Sequence, residues 1–193
     1  MQAIMIGGGG QCRSMMHIVK GLGYDIVGIV DGKQYLGQKV DGAEIIYTDE
    51  DIENLTHYKM IISIGIIPRA AEARKNMYLR LKDMGVVPEA IISRCALMLA
   101  DYCEGVLVHD FAYCAPGSVI GDNTIINTGA VVEHDVVIGK HCHIASNATV
   151  IGGVKICDDV IIGAGSVVIR DIDQPGFWAG NPARLISITG ILQ

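Results

Sequence analysis

Aromatic residues and long apolar runs are scarce in this sequence. Among its 193 residues only two are Phe and one is Trp, although half of the residues are hydrophobic. Such a composition favours stacked aliphatic strands over a core built around aromatic rings. No apolar run reaches the roughly 18 to 20 residues of a membrane-spanning helix, and the start MQAIMIGGGG lacks the basic region and longer apolar stretch of a signal peptide. We therefore expect a cytoplasmic protein without membrane contact.

Basic clusters and cysteine pairs are also missing. With a formal charge of −6 and no run of Lys or Arg, the chain lacks the surface that nucleic-acid phosphates require. The six cysteines form no CxxC pair, which excludes a zinc ribbon and a thioredoxin-like redox motif. We expect reduced, mostly buried thiols and no bound metal. The cysteines are Cys12, Cys95, Cys103, Cys114, Cys142 and Cys157.

The first half of the chain alternates short apolar runs with stretches of helical character. Between residue 2 and about residue 84 the order reads β-α-β-(short β)-β-α, with strands in AIMI, DIVGIV and KMIISIG. Strands joined by crossover helices form parallel sheets, and continuously apolar strands are typical of burial on both faces. The sequence predicts a small Rossmann-like α/β domain over residues 1–84, followed by a second unit over residues 85–193.

The second half repeats an aliphatic residue at every sixth position. From Val108 to Val168 the spacing does not slip once, and ten of the eleven residues are Ile or Val. A period of six fits neither a helix nor simple strand alternation, but it suits a triangular coil in which three repeats complete one turn. The pattern predicts a parallel β-helix. A sandwich of short strands is the alternative, and the unbroken register over about sixty residues disfavours it.

One histidine interrupts the small, apolar corners of the repeats between two carboxylates. His134 lies between Glu133 and Asp135, so that a carboxylate could hold one ring nitrogen while the other accepts a proton. Gly152 follows eighteen residues later and should stack one coil above His134, where a glycine lets a substrate approach the backbone N–H. The pair predicts a general base beside an oxyanion donor. A solvated or structural corner histidine is the alternative, and we favour it for His17, His57, His109 and His141.

Three segments of the chain carry a resemblance to a known family. NTGAVVEHDVVIGKHCHIAS, IIGAGSVV and WAGNPARLI resemble the sugar O- and N-acetyltransferases of the sialic-acid O-acetyltransferase and bacillosamine acetyltransferase type. The resemblance extends over essentially the whole chain. It implies a left-handed β-helix behind the Rossmann-like domain, a homotrimer with active sites between neighbouring helices, and acetyl-CoA as the acetyl donor.

The resemblance also implies roles for residues of the β-helix. His134 would be the general base, Asp135 would orient its ring, and the Gly152 amide would face the thioester carbonyl. The second histidine of the motif, His143, would lie near the reacting acetyl group. CoA would contact Ala164 and the loop that closes the helix. The loop residues implied are Gly180, Asn181, Pro182 and Arg184.

For the acceptor, the resemblance implies a nucleotide-linked sugar held by the loop after the first strand and by the end of the second strand. A glycine run before a helix exposes N–H groups and the positive end of the helix dipole to such a ligand, and a tight turn is the alternative. The run does not satisfy GxGxxG, because Cys12 stands where the third glycine would fall, and NAD is therefore rejected. The implied acceptor residues are Gly8, Gly9, Gly10, Gln11, Asp31, Lys33 and Gly65.

Two departures from the family pattern concern this acceptor site. Gln11 stands where the family commonly has a histidine, and the segment Ile66-Ile67-Pro68 stands where polar residues usually follow the glycine matching Gly65. The acceptor we expect is the 4-amino group of a nucleotide-linked deoxysugar in surface glycan synthesis. O-acetylation of a sialic-acid-like sugar is the alternative.

Two further alternatives use the β-helix differently. A zinc lyase of the γ-carbonic-anhydrase kind would hold its metal with histidines at subunit interfaces. The spacing of the histidines here differs from that of such an enzyme, and the α/β domain would have no role in it. A non-catalytic trimer that only binds a metabolite is the other alternative. The triplet Glu133-His134-Asp135 beside the stacked Gly152 argues against it. The histidines available to a metal would be His109, His134, His141 and His143.

Overall fold

The computed structural model describes residues 1–67 and 71–187, and its first part is an α/β unit. The elements are β1 (Gln2–Ile6), α1 (Gly10–Gly21), β2 (Asp25–Val30), β3 (Lys39–Val40), β4 (Ala43–Tyr47), β5 (Lys59–Ile62) and α2 (Ala71–Asp83), with 3₁₀ turns at Lys33–Tyr35 and Asp49–Leu55. The strands form one sheet in the order β3-β4-β2-β1-β5, parallel except for the β3-β4 hairpin. The predicted Rossmann-like order is confirmed, and the short strand expected in the linker is this hairpin.

The glycine run places the start of α1 at the edge of the sheet where ligands bind. α1 begins at Gly10, the last glycine of the run, and turns Met15, Met16 and Val19 towards the sheet, where each is at most 1% exposed. Lys20 lies in its last turn, where a cation is favourable for the helix dipole. The N-terminus of α1 therefore faces the carboxyl ends of β1 and β2, which is the usual ligand edge of an open parallel sheet.

The second part of the chain is a left-handed parallel β-helix of short strands. Its strands are β6 (Ile91–Ile92), β7 (Leu97–Met98), β8 (Asp101–Tyr102), β9 (Leu107–Val108), β10 (Tyr113–Cys114), β11 (Val119–Ile120), β12 (Ile125–Ile126), β13 (Val131–Val132), β14 (Val137–Ile138), β15 (His143–Ile144), β16 (Thr149–Val150), β17 (Lys155–Ile156), β18 (Val160–Ile162) and β19 (Val167–Val168). Strand partners such as Tyr113 and Val131 are eighteen residues apart, as the six-residue period predicts. The first coil is shorter, since Leu97 pairs with Tyr113.

The strands form three faces of a triangular prism. We call β6, β9, β12, β15 and β18 the domain face, β7, β10, β13, β16 and β19 the second face, and β8, β11, β14 and β17 the third face. All eleven residues of the six-residue period point inward, and none is more than 3% exposed. The core is therefore a column of Ile and Val side chains, and the predicted β-helix is confirmed.

The corners of the prism share a second period of six that concerns the backbone. One residue at each corner has a positive φ, close to +60° in most cases, and asparagine, aspartate and glycine tolerate this conformation best. Phe111 and His141 depart from that rule, with φ 61° and 56°, and Phe111 is 73% exposed. The corner residues in this series are Gly105, Phe111, Gly117, Asn123, Gly129, Asp135, His141, Asn147, Gly153, Asp159 and Gly165.

The α/β unit covers the domain face of the β-helix. The outward residues Leu107, Ile125 and Ile161 are at most 6% exposed and share one core cluster with Met15 and Met16 of α1. The two parts of the described chain are thus joined by a continuous apolar interface. The boundary that we propose at residue 84 falls in the connection between α2 and β6.

A buried arginine ties the two parts together. Arg74 of α2 is fully buried, and its guanidinium donates hydrogen bonds to the carbonyl oxygens of Ile62 (2.5 Å), Ile64 (3.0 Å), Gly105 (2.7 Å) and Asn123 (3.2 Å). Ile62 is the last residue of β5 and Ile64 follows it, whereas the other two carbonyls belong to corners of the β-helix. Burial lowers the pKa of Arg74 to about 9. Within the described part of the chain the guanidinium hydrogen-bonds to carbonyl oxygens and to no carboxylate, so carbonyl dipoles stabilise its charge.

A hairpin of β20 (Gly176–Ala179) and β21 (Arg184–Ser187) closes the helix, with β20 parallel to β18.

All six cysteines are free, but only Cys12, Cys114 and Cys142 are buried, so the expectation of mostly buried thiols is wrong. Cys95 and Cys103 lie on the corners and loops of the first coils, where the six-residue period does not demand burial. Neither described helix is long and apolar enough to cross a membrane.

Candidate active site

His134 lies at the corner between the second and third faces, with one ring nitrogen held and the other open. Its Nδ1 is 2.9 Å from Oδ2 of Asp135, and the imidazole is 67% exposed. A carboxylate beside Nδ1 stabilises the tautomer with a proton on that nitrogen, which leaves the lone pair on Nε2 free. The arrangement is the one that the sequence predicts for a general base. Asp135 itself stands at a corner position with φ 60°, which aspartate tolerates better than most residues.

Gly152 lies directly above the His134 ring on the next coil. A methyl group built on Gly152 would approach both Cε1 and Nε2 of His134 to 2.7 Å, so only glycine leaves the space between them open. The two coils are linked by a hydrogen bond of 2.9 Å from the Gly153 N–H to the His134 carbonyl. The predicted stacking is therefore present. A carbonyl group placed here would meet the backbone of Gly152 and the Nε2 of His134 together, which suits acyl transfer.

A pocket of about 660 Å³ lies between the α/β unit and the domain face. The glycine loop and the ends of β1, β2 and β5 form its walls, together with two side chains of the β-helix. The predicted residues Gly9, Gly10, Gln11, Asp31 and Gly65 line it. Sequence reasoning missed Asp49, Ser63 and Asn127, which also line it. Asn127 follows His109 by eighteen residues and so lies one coil above it, but this spacing indicates a pocket residue only once His109 is known to face the α/β unit.

Two of the predicted acceptor residues, Gly8 and Lys33, do not line the pocket. The Gly8 N–H donates to Oδ2 of Asp31 at 2.6 Å, and the Gly32 N–H donates to the other carboxylate oxygen at 2.7 Å. Asp31 thus joins the two loops that sequence analysis assigns to the acceptor. Lys33 points away and forms an exposed ion pair of 2.8 Å with Glu50. The segment Ile66-Ile67-Pro68 enters this wall with its first two residues, and Pro68 lies outside the described residues.

His143 lines this pocket, and both of its ring nitrogens form hydrogen bonds. Its Nδ1–H donates to the Ile66 carbonyl at 2.6 Å, and its Nε2 accepts from the Asn127 amide at 3.1 Å. Burial lowers the pKa of His143 to about 4, and the buried Arg74 acts in the same direction. The ring is therefore neutral near pH 7 and serves as a fixed hydrogen-bonding link between the two parts of the chain. Its predicted proximity to the reacting acetyl group stays a prediction.

The predicted CoA loop is the turn of the closing hairpin. Ser166 Oγ accepts a hydrogen bond of 3.0 Å from the Gly180 N–H, and the Val167 N–H donates to the Gly180 carbonyl at 3.0 Å. The loop is thus tied to the last coil, beside the exposed corner that carries Ala164. Arg184 is exposed at the start of β21. The structure brings Ala164 and the loop to one end of the prism, and their contact with CoA stays a prediction.

The base and the pocket lie on different parts of the prism. His143 belongs to the domain face, Asn127 follows the strand below it, and His134 lies at the far end of the second face.

Residues 1–67 and 71–187 contain no group of three or more His, Cys, Asp or Glu that could hold a metal ion. His17 and His141 instead contact Asp110 (2.6 Å) and Asn123 (3.0 Å).

Comparison with known sequences matches both parts of the chain. Residues 2–81 match the family described as PglD N-terminal domain, and residues 117–152 and 135–170 match bacterial transferase hexapeptide repeats. Serine acetyltransferase 2 of Arabidopsis thaliana is 30% identical over 99 residues, covering 44% of this chain and 29% of that protein. The chain thus spans less than a third of the length of this curated relative.

Comparison with solved structures matches the whole chain. A mutant of perosamine N-acetyltransferase from Caulobacter crescentus, in complex with CoA and GDP-perosamine, superposes with a TM-score of 0.82 at 28% identity over 97% of both chains. The acetyltransferase domain of PglB from Neisseria gonorrhoeae superposes with a TM-score of 0.80 at 25% identity, covering 96% of this chain and 99% of that one. The order of the two parts is therefore the same in all three chains.

Proposed function

Because this chain belongs to the hexapeptide-repeat sugar acetyltransferases that carry a PglD N-terminal domain, we propose that it transfers an acetyl group from acetyl-CoA to a sugar nucleotide. The acceptor proposed is the 4-amino group of a nucleotide-linked deoxysugar used in surface glycan synthesis. One observation carries the proposal. His134 keeps Nε2 open beside the backbone of Gly152, while Asp135 holds Nδ1.

The reaction is direct transfer within a ternary complex. Nε2 of His134 removes a proton as the sugar amine attacks the thioester carbonyl. The N–H of Gly152 donates to the oxygen that becomes negative, and the CoA thiolate leaves. Asp135 stabilises the imidazolium that forms, because its carboxylate lies 2.9 Å from Nδ1. No covalent intermediate on the enzyme is required.

The pocket supports a sugar nucleotide as the acceptor. At the start of α1 the backbone N–H groups of the first turn lack intrahelical acceptors, and the helix dipole is positive there. Gly9 and Gly10 line the pocket at this point, and neither has another atom within 4 Å of a methyl group built on it. A diphosphate can therefore approach the backbone closely. Both co-substrates belong to cytoplasmic metabolism, and we place the reaction there.

A thiol-release assay tests this proposal. Purified protein with acetyl-CoA and a panel of free and nucleotide-linked amino-sugars and hydroxy-sugars should release CoA fastest with a nucleotide-linked 4-amino sugar. Faster turnover with a sialic-acid-like hydroxy-sugar would instead support O-acetylation, which uses the same base and oxyanion donor. Absence of thiol release with the whole panel, while the protein binds a sugar nucleotide, would favour a non-catalytic binding protein.

We also propose that the protein acts as a homotrimer in which His134 of one copy serves the pocket of a neighbour. The second face separates His134 from the pocket within one chain, so a neighbouring helix offers the shorter approach. Exposed apolar side chains on the uncovered faces support such contacts, since Leu97, Val119 and Val137 are 55%, 38% and 41% exposed.

Mixed trimers test this arrangement. His134→Ala removes the base, and Gly65→Phe places a ring in the pocket that Gly65 lines, because a Cβ built on Gly65 meets nothing closer than Gln11 at 3.5 Å. Each variant alone should retain no more than about 1% of wild-type activity. Co-refolded at equal amounts, they should regain about a quarter of wild-type activity, because each site then draws an intact base and an intact pocket from different copies. If the mixture regains no activity, the base and the pocket of each site belong to the same chain.

A further inference from the structure

His109 is a buried histidine that the proposed reaction does not use. It follows β9 at the edge of the domain face, and it is 3% exposed. Its Nε2 lies 2.7 Å from Nε2 of Gln11, in the first turn of α1. The amide nitrogen of a glutamine can only donate, so the ring nitrogen of His109 accepts this hydrogen bond.

The surroundings of His109 keep that ring nitrogen unprotonated. Burial lowers the pKa of His109 to about 4, and the neighbouring His143, His17 and Arg74 act in the same direction. Asp110 opposes them, with an effect smaller than that of burial or of His143. The neutral ring therefore keeps a lone pair on Nε2 near pH 7 and carries its proton on Nδ1.

This contact fixes the orientation of the Gln11 carboxamide. With the amide nitrogen directed to His109, the oxygen occupies the other branch of the side chain, on the side of Gly65. A methyl group built on Gly65 would lie 3.6 Å from Oε1 of Gln11. Gln11 and Gly65 both line the pocket, so the exposed edge of the carboxamide is a hydrogen-bond acceptor.

We propose that His109 is a positioning residue, which holds Gln11 so that its side-chain oxygen accepts a hydrogen bond from an N–H or O–H group of the bound sugar. The inference rests on the proposed function, because it names a specificity residue of the same pocket. A polar site of this kind discriminates against analogues that lack the donor, since the acceptor would then be left unpaired.

Steady-state kinetics of four variants test the role of His109. His109→Leu removes the acceptor, Gln11→Met removes the carboxamide, the double variant removes both, and His109→Gln restores an acceptor near the Nε2 position. Each of the first two should raise KM for the sugar nucleotide about tenfold, with kcat and KM for acetyl-CoA changed less than about threefold. His109→Gln should bring KM for the sugar nucleotide most of the way back from the His109→Leu value to that of the wild type. The double variant should be no worse than Gln11→Met, because His109 acts through Gln11.

Additive losses in the double variant, or an equal rise in KM for acetyl-CoA, would overturn the proposal and assign His109 a purely structural role. ¹⁵N chemical shifts of the histidine rings supply a readout without catalysis, with His109→Gln identifying the signal. Nε2 of His109 should be unprotonated, and its shift should move in Gln11→Met. A proton on Nε2 would overturn the proposal as well. If the wild-type protein releases no thiol with any sugar, the proposed function fails, and the ring shifts still decide the orientation of Gln11.

Discussion

Replacement of His134 by alanine is expected to lower kcat about 10²- to 10⁴-fold, which is the usual contribution of a general base. Among the described residues, the three atoms nearest to a Cβ built on Gly152 all belong to His134, so no other side chain is as well placed to act as the base. The imidazole is 67% exposed, so its removal should leave the fold and KM for acetyl-CoA little changed. Thiol release with acetyl-CoA and the sugar nucleotide both saturating measures kcat, and thermal unfolding checks that the protein remains folded.

Two further variants make the His134 result specific. His57→Ala removes another exposed histidine, in the α/β unit, and should leave kcat unchanged. Asp135→Asn keeps the size of the side chain but removes the charge 2.9 Å from Nδ1, and its kcat should fall between wild type and His134→Ala. Turnover of His134→Ala within a few-fold of wild type would refute the assignment of the base.

Replacement of Arg74 by alanine is expected to destabilise the protein by about 3–5 kcal/mol, a large part of the ~5–15 kcal/mol that stabilises a typical domain. Four carbonyl groups would lose their hydrogen-bond donor, and water has no ready access, since Arg74 is fully buried. At about 2–4 °C for each kcal/mol in a chain of this size, Tm should fall by roughly 10 °C.

Arg80 provides the matched control for Arg74. Both arginines lie on α2, but the side chain of Arg80 makes an exposed hydrogen bond of 2.9 Å to the Asp49 carbonyl. Arg80→Ala should therefore change Tm by only about 1–2 °C, since exposed polar contacts contribute little. Arg74→Lys should lie in between, because an ammonium group keeps the charge but offers three donors. Equal effects of Arg74→Ala and Arg80→Ala would show that the buried cation does not hold the two parts together.

The β-helix and its candidate base could be predicted because they depend on spacing alone. A residue pointing inward at every sixth position requires strands of equal length, and eighteen residues then raise the chain by one coil. The stacking of Gly152 on His134 follows directly from this register. Asp135 was predictable for a related reason, since it is the immediate neighbour of His134 at a corner.

The acceptor site was predicted less completely, because it depends on how two separate units pack. Lys33 follows the second strand as expected, yet its side chain pairs with Glu50 outside the pocket. His109 has no flanking carboxylate pair and no family role, so nothing in its local sequence distinguishes it from a structural histidine. Its contact with Gln11, at 2.7 Å, arises only where α1 packs against the β-helix.

The sequence by itself determined that this protein has a β-helix behind a Rossmann-like unit, and which residues of the helix stack on one another. A strict period converts distance along the chain into height in the coil, so local information suffices. Only the tertiary structure decided which face the α/β unit covers, that Arg74 joins the two parts, and that His109 and His143 form hydrogen bonds across the interface. Those contacts join residues as far apart as 98 positions, and their geometry depends on side-chain packing that no local period records.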